Sequence, residues 1–408
     1  MDLTACFKEI EGEKERMTER VIEWSHINSH SFNLSGLQRM ASTLTQAFSA
    51  LDCEHETILL SPMDEIDHTG VAKKIELGPL LRFWKRGEAP FKVLLVGHMD
   101  TVFGIEHPFQ QAMRLSANRV NGPGVADMKG GLCVLLEALK QFEKYYPDAA
   151  LGWEVLINSD EEIGSLGSAP YLRERALVHD VGLLFEPAMD EIGTLAGIRK
   201  GSGRFVVIVH GHAAHAGRDF EEGRNAIVLL SAVIMEIHAL NGQRQGVTIN
   251  VGQIEGGGSV NVVPALAICR IDVRIQSETD VAWVKESIEK IVIKANQSAG
   301  FLVEYQGHFN RKPKALTGKT QALYDLAYAV GQEIGQTIAW KPSGGCCDGN
   351  NLADAGLPNI DTLGVSGGKI HSDAEYVLTD SLVERTKLTV ALLLKLSQGL
   401  PILKRTSF

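Results

Sequence analysis

The stretch that decides the fold is "LLVGHMDTVFG", residues 94–104. Its apolar start, followed by a glycine, predicts a buried strand that ends in His98, one spacer and Asp100. Side chains two residues apart on a strand point to the same face, so both project near the carboxyl end of this strand. Ligands bind at that edge of open α/β sheets. The pair therefore predicts a ligand site, although a His-x-Asp pattern alone is too short to identify a metal.

Outward from this strand, apolar runs alternate with segments of helical periodicity. The alternation predicts an α/β fold in which helices flank a mostly parallel sheet. Strands are predicted at about residues 93–97, 153–158, 181–185 and 358–363, and helices at about residues 2–27, 36–50, 128–145, 318–335 and 380–399.

A middle segment has a different order of elements. From residue 204 to 307 the pattern predicts strand, helix, strand, strand, helix, strand, which is the ferredoxin-like β-α-β-β-α-β arrangement of a small domain. Alternation in "LAICRIDVRI", residues 266–275, places its charged side chains on one face, which predicts a wet face. We therefore expect a domain at 197–311, inserted into a larger domain made of residues 1–196 and 312–408.

The composition excludes several classes of protein. Of 408 residues, 44% are hydrophobic and 22% charged, which is typical of a globular protein. A net charge of −10 without a basic block argues against nucleic acid as a partner. The charged N-terminus does not resemble a signal peptide, and no apolar run reaches the ~18 residues of a membrane span. Six cysteines without a C-x-x-C spacing indicate reduced thiols in a cytoplasmic protein.

The loop "NGPGVADMKGG", residues 121–131, begins like a dinucleotide-binding loop. The third position of G-x-G-x-x-G, however, is Asp127, and a carboxylate there would repel a pyrophosphate. Asp127 could cap the helix that follows, or it could bridge two cations if the loop holds it rigidly. An oxidoreductase is therefore disfavoured.

Two further predicted strands end in acids, and a glycine-rich loop near the C-terminus presents a histidine. Carboxylates crowded at the end of a strand are costly unless a cation or a proton lies among them. Each of these residues alone has a structural explanation, such as a solvated charged face. All of them would nevertheless meet His98 and Asp127 at one rim of the sheet. The candidates are Glu161, Glu162, Glu186 and His371.

The charges of these side chains suit two divalent ions. Neutral His98 and His371, with the anions Asp127, Glu162 and Glu186, total −3 against +4, which leaves +1 to polarise a bridging water. Mixed imidazole and carboxylate ligands favour Zn²⁺, with Co²⁺ or Mn²⁺ as possible substitutes.

Six motifs occur along the chain in a recognisable order: "GHMDTV", "GPGVADMKGG", "DEEIGS", "GHAAHAG", "INVGQIEGGGSVNVVP" and "HSDAEY". From about residue 15 to 400 the chain resembles the co-catalytic zinc metallopeptidases, which include glutamate carboxypeptidase, aminoacylase, acetylornithine deacetylase and succinyl-diaminopimelate desuccinylase. The spacing of the ligands is most similar to the carboxypeptidase G type.

The resemblance implies a role for each candidate ligand. Asp127 would bridge two zinc ions per subunit. His98 and Glu186 would complete one metal site, and Glu162 and His371 the other.

Two further residues of the reaction follow from the same resemblance. Asp100 would orient His98, and Glu161 would be the general base that takes a proton from the bridging water and delivers it to the leaving amine. A cis peptide bond would follow Asp127.

The resemblance also implies that the inserted domain is a lid that mediates homodimerisation. His215 would reach the partner subunit's active site and stabilise the oxyanion. Asn261 and Arg274 would hold the substrate, and Arg311 would contact its free carboxylate. Cys346 and Cys347 depart from the usual threonine or serine, and we expect them to pack as inert thiols.

The function implied is a metal-dependent amide hydrolase, a carboxypeptidase or an N-acyl-amino-acid deacylase. A hydroxide bridging two zinc ions would attack the amide and release an amino acid with a free carboxylate, with glutamate as one candidate. An alternative is a di- or tripeptidase with the same site. Another is a non-catalytic relative that binds metal or amino-acid conjugates, which the presence of Glu161 disfavours.

Overall fold

The computed structural model describes residues 3–405, so residue 2, where the first helix was predicted to begin, and the outer ends of the predicted domain ranges lie outside the described residues. The helices are α1 (Thr4–Gly12), α2 (Lys14–Ser25), α3 (Leu34–Phe48), α4 (Lys129–Tyr145), α5 (Ala169–Ala176), α6 (Ala226–His238), α7 (Thr279–Ala295), α8 (Gly318–Glu333), α9 (Asp348–Asp354) and α10 (Thr379–Leu396). The strands are β1 (Glu54–Leu59), β2 (Met63–Ile66), β3 (Ala72–Ile75), β4 (Pro79–Lys85), β5 (Phe91–His98), β6 (Met113–Ser116), β7 (Arg119–Asn121), β8 (Leu151–Asn158), β9 (Val181–Leu184), β10 (Leu195–Arg199), β11 (Gly201–His210), β12 (Thr248–Gly256), β13 (Leu266–Ile275), β14 (Leu302–Arg311), β15 (Trp340–Ser343), β16 (Asn359–Ile360), β17 (Gly367–Gly368) and β18 (Tyr376–Leu378).

The largest sheet has the strand order β1-β4-β8-β5-β9-β16. Strands β8, β5, β9 and β16 pair in parallel, and only β4 runs against its neighbours β1 and β8. The prediction of a mostly parallel sheet flanked by helices is thus confirmed. Because the parallel strands share one direction, their carboxyl ends lie along a single edge of the sheet, where ligands bind in such folds.

Both faces of this sheet are covered, as the continuous apolar sequence of its central strands requires. Along β5, Val93 and Leu95 pack into the core shared with α3, α4 and α10. Leu94 and Val96 point to the opposite face, where they pack with α5 and α9. The strand that carries His98 is therefore held from both sides.

Residues 201–311 form a second unit with its own sheet, in the order β12-β13-β11-β14, all antiparallel. Helices α6 and α7 cover one face and enclose a separate apolar core. In β13, Cys269, Ile271 and Val273 are buried, while Arg270, Asp272 and Arg274 are half-buried. The partly solvated face expected from the alternation therefore lies on the side away from the two helices.

The chain enters and leaves this unit through neighbouring residues. Arg199, at the end of β10, and Lys314, just after β14, exchange two backbone hydrogen bonds, with N–O distances of 3.1 and 3.0 Å. These two residues form the neck of the inserted unit.

The single helix predicted from residue 2 to 27 is wrong in one respect, because the described part of this segment contains two helices. Helix α1 ends at Gly12 and α2 begins at Lys14, with Glu13 between them. Among residues 3–405, no helix combines the length and the apolar character that crossing a bilayer requires.

Candidate metal centre

Three neighbouring parallel strands deliver polar residues to the same edge. His98 is the last residue of β5, Glu161 and Glu162 follow β8, and Glu186 follows β9. Asp127 comes from the loop before α4, and His371 from the loop between β17 and β18. Apolar residues fix each strand in the core, so the polar residue that ends it has a defined position.

The predicted ligands lie within hydrogen-bond or ion-pair distance of one another. His98 Nε2 is 3.2 Å from Asp127 Oδ1 and 3.7 Å from Glu186 Oε2. His371 Nε2 is 3.3 Å from Asp127 Oδ2 and 3.3 Å from Glu162 Oε2. Asp127 therefore lies between two groups of side chains, with one carboxylate oxygen directed to each histidine.

Asp100 fixes both His98 and the acidic segment after β8. His98 Nδ1 is 3.0 Å from the Asp100 carbonyl oxygen and 3.3 Å from its Oδ1. The Asp100 carboxylate also accepts hydrogen bonds from the backbone N–H groups of Glu161 and Glu162, at 3.2 and 3.1 Å. The contact with the Glu161–Glu162 backbone was not apparent from the sequence.

The peptide bond between Asp127 and Met128 is cis. Just after it, the buried ammonium of Lys129 donates to the carbonyl oxygens of Trp24 and Ile27, at 3.0 and 2.7 Å. Lys129 was not singled out from the sequence, where a lysine at the start of a helix carries no signal of burial.

Burial and mutual attraction shift the pKa values of these groups. Burial disfavours the imidazolium of His98, yet its hydrogen bonds to Asp100, Asp127 and Glu186 raise its pKa well above the usual value. Contacts with Asp127 and Glu162 raise the pKa of His371 to about 11. Burial and the nearby Asp127 carboxylate raise the pKa of Glu162 to about 7.

These side chains fit divalent cations. Ligand atoms of His98, Asp127 and Glu162 all lie within 4.8 Å of one another, an arrangement that could hold an ion. Glu162 Oε1 is buried and has no hydrogen-bond partner, which is the position expected of an oxygen that faces a cation.

Glu161 lies beside this group and contacts Arg311. Arg311 Nη2 is 2.7 Å from Glu161 Oε1, and it also donates to the Glu161 carbonyl oxygen and to Ser165 Oγ, at 3.1 and 2.8 Å. Burial raises the pKa of Glu161 well above its usual value, although the Arg311 charge opposes this effect. Arg311 was predicted to contact a substrate carboxylate, which stays a prediction; in the structure its buried guanidinium lies on Glu161.

The other predicted substrate-binding residues, Asn261 and Arg274, and His215, predicted to stabilise the oxyanion in the partner's site, lie on the inserted unit and do not line the cleft at the metal ligands. Arg274 pairs with Asp272 at 2.8 Å, and its Nη1 is 2.8 Å from Cys346 Sγ. His215 and Asn261 are both exposed. Within residues 3–405 of this single chain, these three residues therefore do not join the group around Asp127.

The two adjacent cysteines differ. Cys347 is buried, and its Sγ accepts a hydrogen bond from the Gly349 backbone N–H at 3.3 Å, as the N-cap of α9. Both cysteines line the cleft, but Cys346 is only half-buried. Its burial favours the neutral thiol, but the Arg311 and Arg274 charges lower its pKa.

A cleft of about 420 Å³ opens beside Asp127, Glu162, Glu186 and His371. Its wall includes Arg199, which the sequence did not single out because no pattern marks it.

Comparison with known proteins identifies the family. The model of "Peptidase family M20/M25/M40" matches residues 94–395. Carboxypeptidase G2 from Pseudomonas sp. (strain RS-16) is 30% identical over 318 residues, covering 77% of this chain and 76% of that protein.

Solved structures share the fold. A tripeptidase from Staphylococcus aureus has a TM-score of 0.75 at 21% identity, over 95% of this chain and 99% of that one. A dinuclear metal-binding peptidase of the M20 family from Bacillus subtilis has a TM-score of 0.66 at 12% identity, over 96% and 100%. On the strength of the family match and of the carboxypeptidase relative, the chain belongs to peptidase family M20/M25/M40 and is a metal-dependent peptidase or amidohydrolase.

Proposed function

We propose that the protein hydrolyses the amide bond of small peptides or N-acyl amino acids and releases an amino acid with a free carboxylate. The site would hold two divalent cations, with Zn²⁺ as the proposed metal and Co²⁺ or Mn²⁺ as substitutes. The observation that carries the proposal is the position of Asp127 between His98 and His371, with Glu161 beside them. Carboxylate and imidazole groups in this arrangement are the ligands of co-catalytic zinc sites.

The residues of the chain then have distinct tasks. When bound, the cations would polarise the amide carbonyl and lower the pKa of a shared water. Glu161 is the general base: its carboxylate takes a proton and passes it to the departing nitrogen. Asp100 fixes the positions of the His98 ring and of the Glu161 backbone relative to each other.

The guanidinium of Arg199 in the cleft wall supports a substrate with a carboxylate. Asp361 pairs with both Arg199 and Lys314, at 2.8 and 2.7 Å, so two buried cations share one buried anion. Arg199 Nε is buried and has no hydrogen-bond partner. An arginine fork matches a carboxylate geometrically, which favours an acidic group of the substrate at this wall.

A di- or tripeptidase would use the same groups. A panel of N-acyl amino acids, dipeptides and tripeptides, assayed with added Zn²⁺, separates these functions. Removal of the metal with a chelator is expected to abolish hydrolysis, and addition of Zn²⁺ or Co²⁺ to restore it.

The decisive variant is Glu161→Gln. It is expected to retain the metal content of the wild type and to lower kcat by about 10² to 10⁴-fold, because the general base is lost. Glu54→Gln, an exposed glutamate on β1, is the matched control and should leave kcat unchanged. Unchanged turnover in Glu161→Gln would rule out the mechanism, and a wild type that hydrolyses nothing in the panel would favour a binding protein.

We also propose that two chains pair through residues 201–311. Strand β12 is an edge of its sheet and exposes most of its residues, which leaves backbone groups free to pair with another strand. The adjoining helix α6 exposes apolar side chains, with Val228 65% and Met235 66% exposed. His215 and Asn261 lie on the same unit, and a second chain could bring them to the cleft.

A further inference from the structure

The proposed metal site is built from two loops that are far apart in sequence. One, residues 121–127, carries Asp127; the other, residues 367–376, carries His371. His371 Nε2 contacts the carboxylate of Asp127, so the relative position of the two loops determines the separation of these ligands.

A glutamate of the second loop lies against the backbone of the first. The Glu375 side chain is buried, and its Oε1 accepts hydrogen bonds from the N–H groups of Ala126 and Asp127, at 2.9 and 3.0 Å. Its Oε2 accepts a third hydrogen bond, from the Gly124 N–H at 3.1 Å.

The backbone of Glu375 strengthens the same link. Its carbonyl oxygen accepts from Asn121 Nδ2 at 2.7 Å and from the Gly122 N–H at 3.3 Å. Five hydrogen bonds therefore join this one residue to residues 121–127, and one of them involves the N–H of Asp127 itself.

We infer that Glu375 is a positioning residue for the metal centre, which holds Asp127 where it can face both His98 and His371. The inference rests on the proposed function only in requiring that these side chains bind divalent cations. Metal ligands are oriented by residues behind them, and loss of such a residue typically lowers metal affinity about 10–100-fold.

Only a carboxylate of this length satisfies the three N–H groups. A glutamine would offer one carbonyl oxygen, and its NH₂ group would face an N–H donor, so at least one buried N–H would lose its partner. An aspartate keeps both oxygens but is shorter by one methylene, and it would reach fewer of the three donors. The loop would then have more freedom, and the Asp127 carboxylate a less defined position.

The test measures metal binding on the full chain. Metal-free wild type, Glu375→Gln and Glu375→Asp are titrated with Zn²⁺ by calorimetry, and the visible absorption of the Co²⁺ forms reports the coordination geometry. Asp373→Asn is the matched control: it removes the same charge from the same loop, but Asp373 is exposed.

We expect Glu375→Gln to bind Zn²⁺ about 10–100-fold more weakly and to give an altered Co²⁺ spectrum, with Glu375→Asp intermediate and Asp373→Asn like the wild type. A purely structural role would lower the unfolding temperature of the metal-free variants but leave affinity and spectrum unchanged, and that result would overturn the inference. If Glu375→Gln does not fold, Glu375→Asp with wild-type affinity and spectrum would overturn it as well. A wild type that binds no divalent cation would instead overturn the proposed metal site.

Discussion

At the scale of single residues, the contact between Arg311 and Glu161 defines the environment of the proposed base. Arg311 is buried, and its Nη2 contacts the Glu161 carboxylate, Ser165 and Asp348. All three contacts use Nη2, and through them the guanidinium positions the base, whereas its buried Nε has no hydrogen-bond partner. This role differs from the substrate contact that the family resemblance implies.

Replacing Arg311 with methionine is therefore expected to lower kcat more than it raises KM. A hydrogen bond to a charged group contributes about 1.5–3 kcal/mol, which corresponds to roughly tenfold or more in rate. Steady-state kinetics on the best substrate of the panel, with metal content measured in parallel, provide the test. Arg311→Lys should recover part of kcat. A rise in KM with kcat preserved would show instead that Arg311 binds the carboxylate of the substrate.

A second residue, Glu154 on β8, makes stability depend on pH. It is buried and pairs with Arg82 and Arg175, at 3.1 and 2.6 Å. Burial would raise the pKa of Glu154, but Arg175, His179 and Arg82 together hold it below the usual value. Because the folded pKa is depressed, this carboxylate stabilises the fold above the unfolded value of about 4.3, and the contribution is lost as the pH falls through the folded pKa.

Glu154→Gln is expected to lower the free energy of unfolding at pH 7 by about 1.5–3 kcal/mol, because it removes the buried carboxylate that the half-buried Arg82 and Arg175 share. Urea denaturation at several pH values should show the curves of the wild type and the variant converging below pH about 4. If the difference in the free energy of unfolding between the wild type and the variant stayed constant down to pH 3, this explanation would be contradicted.

The polar ends of strands could be predicted from sequence because they interrupt apolar runs. His98, Glu162 and Glu186 each follow such a run, and parallel strands place their carboxyl ends together. The contact between Arg311 and Glu161 could not be predicted, since it joins residues from two units whose relative position depends on packing. The same holds for Glu375: its motif was recognised, but its hydrogen bonds to the Asp127 loop are visible only in three dimensions.

At the scale of elements, helix α4 lies unusually close to the end of β9. A Cβ atom on Gly131 would lie 1.9 Å from the Phe185 carbonyl oxygen, directly before Glu186. Only a residue without a side chain allows this approach. The close packing of α4 on β9 therefore sets the position of Glu186 relative to Asp127, which lies just before the same helix.

Gly131→Ala is expected to destabilise the protein by about 1–3 kcal/mol, because the added methyl group must push the helix from the strand. It should also lower the metal content, since Glu186 shifts with Phe185. Thermal unfolding and metal analysis provide the measurements. The control is Gly12→Ala in α1, where an added Cβ meets no atom within 4 Å. Equal stability of both variants would show that the packing tolerates a methyl group.

Elements with strong apolar patterns were predictable, and those with charged or short sequences were not. The helices α4, α8 and α10 lie close to their predicted positions, as do the strands and helices between 201 and 311. Strand β1, with the sequence "EHETIL" and mostly exposed residues, has no apolar run to mark it. Its pairing with β4 at the sheet edge is therefore a result of tertiary structure rather than of local sequence.

At the scale of the whole molecule, the proposed dimer predicts complementation between two inactive chains. One chain would carry His215→Ala and the other Glu161→Gln, and the two would be co-expressed and purified together. If His215 acts in the partner's cleft, the mixed dimer contains one cleft with both residues intact, and it should hydrolyse substrate faster than either parent.

One further measurement accompanies this experiment. Val228→Glu on α6 is expected to shift the protein toward monomer in analytical ultracentrifugation, because it places a charge on the apolar surface proposed to pair. A mixed sample no more active than its parents, although dimeric, would show that His215 acts within its own chain.

The neck formed by Arg199 and Lys314 allows residues 200–313 to be removed as one segment. The backbones of the two neck residues are hydrogen-bonded to each other. A linker of a few glycines could therefore connect residue 199 to residue 314 without distorting the backbone at either residue. All five proposed ligands lie in the body that remains, at positions 98 to 186 and 371. The shortened protein would lack Arg311 and His215 but should still bind metal. Metal binding and catalysis could then be studied separately.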